Sequence, residues 1–274
     1  MFIIFGTPRS GPTLLATSLD QNDQIIVPDE TDFIIPMAFV FDRVKDPAQG
    51  RRLMADLIVQ TERFPITLGR YFQYADIVNV LASVEYRLPD MLRAIYDRVA
   101  QVAGRSLAGD KSPNDIVYGR ILLKHGLVRS PIKTVHLVRD IRDVLLSLAE
   151  AQPQDAPELN RYFARSWAQS NLYLQDMYAG HPDHYLFLRY EDLVADPAAA
   201  FLRITDFLGV PYQEKMLDPV ARSRRYEGLK HHQHLNQPIR QRRGNWREAM
   251  PAELQTRCLV QAREALERFG YPIE

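Results

Sequence analysis

Phe2-Ile3-Ile4-Phe5-Gly6-Thr7-Pro8-Arg9-Ser10-Gly11-Pro12-Thr13-Leu14-Leu15 decides how the chain is read. The β-branched apolar run Phe2 to Phe5 predicts a buried strand. Gly6, Pro8, Ser10 and Gly11 predict a turn, and Leu14, Leu15, Ser18 and Leu19 a helix. The two glycines and Thr13 match the spacing of a G-x-x-x-x-G-K-[S/T] phosphate loop, in the strand–loop–helix setting that it requires. Glycine lets several backbone N–H groups converge on one anion, and the helix adds its positive end. Pro12 stands where the triphosphate-binding lysine would be, so the positive charge falls to Arg9. That predicts a nucleotide with a shorter 5′ anion than ATP or GTP. A plain Gly/Pro turn is the alternative.

Further strands are expected at Ser106 to Asp110, Lys133 to Val138 and His184 to Arg189, each followed by a helical pattern. Strands alternating with helices imply an α/β fold with a parallel sheet and right-handed crossovers. Residues 33–104 carry apolar positions at helical spacing (Leu53, Leu57, Ile58, Met91, Leu92, Ile95), broken by Pro47, Pro65 and Pro89. Asp196-Pro197 predicts a capped helix to Leu208, and a last amphipathic helix is expected from Pro251 to Phe269. No linker or repeat divides the chain, so one domain is expected, P-loop-like, with a central parallel sheet flanked by helices.

The chain has 274 residues, 46% apolar and 25% charged, which excludes a disordered chain. One cysteine excludes an internal disulfide and Cys-rich zinc modules. The opening apolar run is shorter than the roughly 7–15 residues of a secretory segment or the ~20 of a membrane helix, so a cytoplasmic protein without a membrane span is expected. The 34 basic and 34 acidic residues cancel. The charge is uneven, however: between Pro219 and Arg247 eight Lys/Arg face only Glu227, so this segment carries +7 and the rest −7. A local cationic surface suits a small anion. A long polyanion such as nucleic acid would want a broad basic face.

Lys133-Thr134-Val135-His136-Leu137-Val138-Arg139-Asp140-Ile141-Arg142-Asp143-Val144-Leu145-Leu146-Ser147 offers an Arg fork at a strand end. It adds a hydroxyl about two helical turns on. A plain strand–helix junction, with Asp140 as cap and Asp140 and Asp143 pairing with Arg142, would read the same. So would a magnesium-holding strand ending in Asp140.

The first stretch resembles the 5′-phosphosulfate loop of sulfotransferases, P-[R/K]-S-G-[T/S]-T. These enzymes take 3′-phosphoadenosine 5′-phosphosulfate (PAPS) as sulfuryl donor. Pro12 departs from that pattern and removes one hydroxyl. The second stretch resembles the family's 3′-phosphate motif. Arg242-Arg243-Gly244 is similar to its R-K-G loop, and Tyr190-Glu191-Asp192 to its Y-E-D segment, whose Tyr lies near the adenine. The resemblance spans roughly 2–30 and 106–247. It implies that Pro8, Arg9, Ser10, Gly11, Pro12, Thr13, Leu14, Arg139, Ser147, Tyr190, Arg242, Arg243 and Gly244 hold the donor.

Asp29-Glu30-Thr31-Asp32-Phe33-Ile34-Ile35-Pro36 is similar to the E-E-T-R-x-I-P segment of tyrosylprotein sulfotransferases. Its second Glu, the base, falls on Glu30, and Asp32 replaces the Arg. A helix start capped by Asp29 or Thr31 is the alternative. Lys111 resembles the family's K-[D/S/T]-P lysine; otherwise it is a surface Lys at a Pro turn. The resemblance implies that Glu30 deprotonates the acceptor while Arg9 and Lys111 stabilise the leaving phosphate.

His231, His232 and His234 cluster in the basic segment, but no metal is expected in the reaction, and His136 is expected in the core. The leading expectation is a PAPS-dependent sulfotransferase acting on a hydroxyl of a partly apolar small molecule. Residues 33–104 are expected to form a helical acceptor-binding insertion. Phe33, Phe39, Phe41, Tyr71, Phe72, Tyr74, Tyr86 and Trp167 are read equally well as pocket or as core. A magnesium-dependent P-loop kinase with Asp140 on the metal, and a non-catalytic module for a 3′-phosphoadenosine nucleotide, are the competing expectations.

Overall fold

The computed structural model describes residues 1–151, 156–220, 237–239 and 246–273, with backbone alone at 156–161. Five parallel strands are ordered β2-β3-β1-β4-β5. They are β1 (Phe2–Phe5), β2 (Ile25–Ile26), β3 (Leu107–Lys111), β4 (Lys133–Val138) and β5 (Tyr185–Arg189). Phe2 pairs with Gly109 on one side and Lys133 on the other, so β1 sits at the centre. β4 has the expected bounds, and β3 lies one residue later than expected, so it takes in Lys111. The two-residue β2 is too short to leave an alternating pattern and was not expected.

Side chains alternate across the sheet as strand geometry demands. Ile3 and Phe5 pack under the helices of the long β2–β3 connection. Phe2, Ile4, Val135, Leu137, Leu186 and Leu188 pack on the opposite face, against α1 (Pro12–Leu19) and the helix Pro197–Leu208. Asp196 caps the latter through the N–H of Ala199 at 3.1 Å, as the Asp-Pro pair predicts.

The β2–β3 connection is helical: α2 (Ile34–Arg43), α3 (Pro47–Gln60), α4 (Tyr74–Ala82) and α5 (Leu88–Val102). Its aromatics are divided between core and surface. Phe33 and Phe72 are buried, and Phe33 stacks on Tyr96. Phe41 packs on Tyr86 and His125. Trp167 is buried far along the chain, edge-on to Phe269. The core reading holds for Phe33, Phe72 and Trp167, whose rings are used in packing. Phe39 and Tyr74 stay partly exposed. No helix among the described residues is long and apolar enough to cross a membrane.

Candidate functional site

In open α/β sheets the ligand crevice lies beyond the carboxyl ends of the strands, where connections diverge to opposite sides. β1, between β3 and β4, makes that point here. Each singled-out residue follows a strand: Arg9 follows β1, Glu30 β2, Arg139 β4 and Tyr190 β5, while Lys111 closes β3.

The loop after β1 is held by its own groups. Ser10 N–H donates to the carbonyl of Thr7 at 3.1 Å, and the two hydroxyls lie 2.6 Å apart. Leu15 N–H donates to the Gly11 carbonyl, closing the first turn of α1 with Pro12 in its favoured first position. Gly11 has φ of 93°, and a Cβ there would lie 2.7 Å from the Tyr190 ring. Both demands leave only glycine. Ser10 and Pro12 are buried; Pro8, Arg9, Thr13 and Leu14 are part-exposed at the loop surface.

The loop meets the second motif directly. Arg9 Nε donates to Ser147 Oγ at 3.0 Å, and Arg139 Nη1 donates to the Arg9 carbonyl at 3.0 Å. The Arg139 guanidinium lies over the Tyr190 ring, 4.6 Å from its centroid. Arg139 Nε is buried without a hydrogen-bond partner among the described residues, and a buried guanidinium donor left open suits an anion. Tyr190 is buried, wedged between Arg139 and Gly11.

On the other side of β1, Lys111 Nζ donates to Glu30 Oε1 at 2.6 Å and to Thr13 Oγ1 at 3.3 Å. Lys111 is 2% exposed and Glu30 27%, so the lysine is no surface residue; the strand reaches one position further than its pattern predicts and carries Lys111 inside. Behind the pair, Asp110 Oδ1 accepts from Thr31 at 2.9 Å and from Tyr96. Thr31 thus faces the sheet; the cap position of α2 is Phe33, with no side-chain cap. The helix-cap reading of this acidic run does not hold for Thr31.

Burial raises the Asp110 carboxyl above the usual range. Burial raises Asp115 well above it, reinforced by the negative charges of Asp110, Asp32 and Glu30. Asp110 Oδ2 and Asp115 Oδ2 are both buried without partners among the described residues.

Three features escaped the sequence reading. Arg63, from the unmatched helical connection, reaches Glu30 Oε2 at 3.6 Å and Asp32 Oδ2 at 3.4 Å. No spacing signals it, because the contact spans thirty residues of folded chain. Tyr96, on α5, completes the Asp110 network. Glu191 of the Y-E-D segment is structural: Asp140 N–H and the Tyr271 hydroxyl donate to its two oxygens at 3.1 and 2.9 Å.

Asp140 pairs with Arg142, as the strand–helix junction reading expects. Arg142 Nε and Nη2 grip both Asp140 oxygens at 2.9 and 2.7 Å, with both side chains buried. The Arg142 guanidinium also lies 3.6 Å from the Trp246 ring centroid and donates to the Pro272 carbonyl. The bidentate pair satisfies both Asp140 oxygens within the protein. Among the described residues, no group of three or more His, Cys, Asp or Glu is set to hold a metal ion. His136 is core: its nitrogens meet Tyr185 and Asn171 at 2.6 and 2.7 Å. Arg242, Arg243, Gly244 and the histidines at 231, 232 and 234 lie outside the described residues.

Residues 2–214 match the model of the sulfotransferase family. Cytosolic sulfotransferase 1 of Arabidopsis thaliana is 28% identical over 111 residues, which are 35% of this chain and 33% of the plant protein. The aligned stretch thus spans about a third of that relative. The sulfotransferase domain of the Synechococcus PCC 7002 olefin synthase superimposes with a TM-score of 0.67 at 25% identity, covering 100% of this chain and 95% of that domain. A sulfotransferase from Alicyclobacillus acidocaldarius shares the fold, with a TM-score of 0.53 at 14% identity over 97% of this chain and 92% of its own. A parallel sheet in this order, a glycine-containing loop after its central strand and the family match over most of the chain agree, and the chain belongs to the sulfotransferase family.

Proposed function

We propose that the protein moves the sulfuryl group of PAPS to a hydroxyl of a small-molecule acceptor. The observation that carries this reading is the Lys111–Glu30 contact at 2.6 Å, beside Thr13 of the anion loop. It pairs a proton acceptor with a buried cation at the edge of an anion site.

The residues divide the work. The loop from Pro8 to Leu14 receives the 5′-phosphosulfate. Arg139 and Ser147 take the 3′-phosphate, and the buried open Nε of Arg139 fits that role. Arg242, Arg243 and Gly244 remain assigned to the same phosphate by resemblance, and Tyr190 to the adenine side. Glu30 takes the acceptor's proton as the acceptor oxygen forms its bond to sulfur. The bond from sulfur to the bridging phosphate oxygen breaks in line. Lys111 and Arg9 stabilise the charge that gathers on that oxygen. The products are the sulfated acceptor, 3′-phosphoadenosine 5′-phosphate and one proton, released from Glu30. Sulfuryl transfer in this scheme is positioning plus charge stabilisation and needs no metal.

The acceptor assigned is a partly apolar molecule. The olefin synthase that contains the similar domain is named for a hydrocarbon product. Ile66 and Phe39 remain exposed in the helical connection, the region proposed to bind the acceptor. A cytoplasmic location goes with this reading.

Transfer of sulfur-35 from labelled PAPS to 2-naphthol, 1-decanol and glucose tests the proposal. Labelled product with the first two, abolished in Glu30→Gln with nucleotide binding retained, is the expected result. Chelator-sensitive turnover of ATP would favour a kinase instead. Nucleotide binding without any turnover would favour a non-catalytic module.

A further inference from the structure

Glu30 is gripped from both sides. Lys111 holds Oε1 from within the sheet, and Arg63 faces Oε2 from the segment between α3 and the turn Phe64–Ile66. Arg63 also faces Asp32, so one guanidinium spans two carboxylates. Asp32 has φ of 54°, a left-handed conformation that a residue with a Cβ adopts at a cost. That backbone turn presents Asp32 alongside Glu30, where both face Arg63. The Arg63 side chain is 44% exposed and both ion pairs exceed 3.3 Å. Pairs of that kind contribute little to stability, so fold maintenance does not account for the arrangement.

We infer that Arg63 is a positioning residue for the reaction, holding the Glu30 carboxylate in line with the acceptor hydroxyl, and that Asp32 orients Arg63. The inference rests on the reading of Glu30 as the base. In the similar E-E-T-R-x-I-P segment an Arg directly follows the Thr; here Asp32 occupies that place, and the guanidinium that faces Glu30 and Asp32 comes from Arg63 in the helical connection. A base displaced by about 1 Å loses up to ~100-fold in rate.

Arg63→Gln, Arg63→Lys and Asp32→Asn are compared with the parent protein and with Glu30→Gln. The readouts are labelled transfer to 2-naphthol and 1-decanol and labelled sulfate release to water. The Kd for 3′-phosphoadenosine 5′-phosphate and the Tm are also measured. Arg63→Gln is expected to lower kcat roughly 10- to 100-fold, with Tm held within about 2 °C and nucleotide Kd unchanged. Arg63→Lys should recover part of kcat, and Asp32→Asn should fall between. Unchanged kcat in Arg63→Gln overturns the inference, as does a change confined to acceptor KM, which would make Arg63 an acceptor contact. A loss of kcat matched by a falling Tm, and not recovered by Lys, also overturns it. A parent protein inactive in every assay, or a fully active Glu30→Gln, overturns the reading of the base itself, whatever Arg63 does.

Discussion

Arg139 donates through Nη1 to the carbonyl oxygen of Arg9 at 3.0 Å, tying the strand end of β4 to the loop after β1. Arg9 returns the contact by donating from Nε to Ser147, on the helix that follows β4. The two motifs are one hydrogen-bonded unit, so a change in either should be felt at both ends of the proposed nucleotide site.

Arg139→Ala tests that unit. It removes the anchor of the Arg9 carbonyl, the cation over Tyr190 and the proposed phosphate fork. Calorimetric titration with 3′-phosphoadenosine 5′-phosphate should show a Kd raised roughly 10- to 100-fold, the range of a charge-assisted hydrogen bond. Undiminished binding would remove Arg139 from the donor site.

Gly11→Ala should both unfold more easily and bind nucleotide poorly. The added Cβ meets the Tyr190 ring at 2.7 Å, and φ of 93° disfavours any side chain. A loss of about 1–3 kcal/mol in unfolding free energy is expected. Adding Tyr190→Ala should relieve the clash but not the backbone strain, so the double variant should show positive coupling in a cycle of urea unfolding measurements. Strict additivity would mean that the ring is not the obstacle.

Asp140→Asn should be a stability variant. It leaves the buried Arg142 guanidinium without its carboxylate, a change expected to cost about 3–5 kcal/mol. Magnesium and chelator should leave the parent's turnover unaltered. A chelator-sensitive parent with a stable Asp140→Asn variant would favour the metal reading.

His136 sets a pH dependence. Burial lowers its pKa from the ordinary 6.5 to about 4, so the folded state keeps it neutral while the unfolded chain takes up a proton below about 6.5. Protons bound by the unfolded state favour unfolding. Stability from this group is therefore full above about 6.5 and declines as pH falls towards 4, by a few kcal/mol in total. Urea midpoints between pH 7.5 and 4.5 should fall less steeply in His136→Gln than in the parent, even if the variant starts lower. Parallel slopes would show that other groups govern acid unfolding.

Much of the architecture is legible locally. The apolar run Phe2 to Phe5, the glycines of the loop and the Asp196-Pro197 cap each act within a few residues, so spacing carries them. β2 left no trace because two residues cannot express alternation. Lys111 was legible as a motif residue but not as a buried one, since burial depends on the helices laid over β3. The aromatic residues of the β2–β3 connection could not be divided into core and pocket by pattern, because both uses place them on the apolar face of a helix. Arg142 illustrates the same limit: a pairing with Asp140 was foreseeable two positions away, whereas Trp246 and Pro272, which enclose it, lie more than a hundred residues on.

The sequence by itself determined the strand–loop–helix opening and the parallel α/β class, because these follow from periodicity and glycine conformation. Only the tertiary structure decided which charges meet. It brings Lys111 and Arg63 to opposite oxygens of Glu30 and pairs Asp140 with Arg142. The physical reason is that charge pairing acts over a few ångströms, and only the folding of β2, β3 and the connection between them brings residues 30, 63 and 111 within that range.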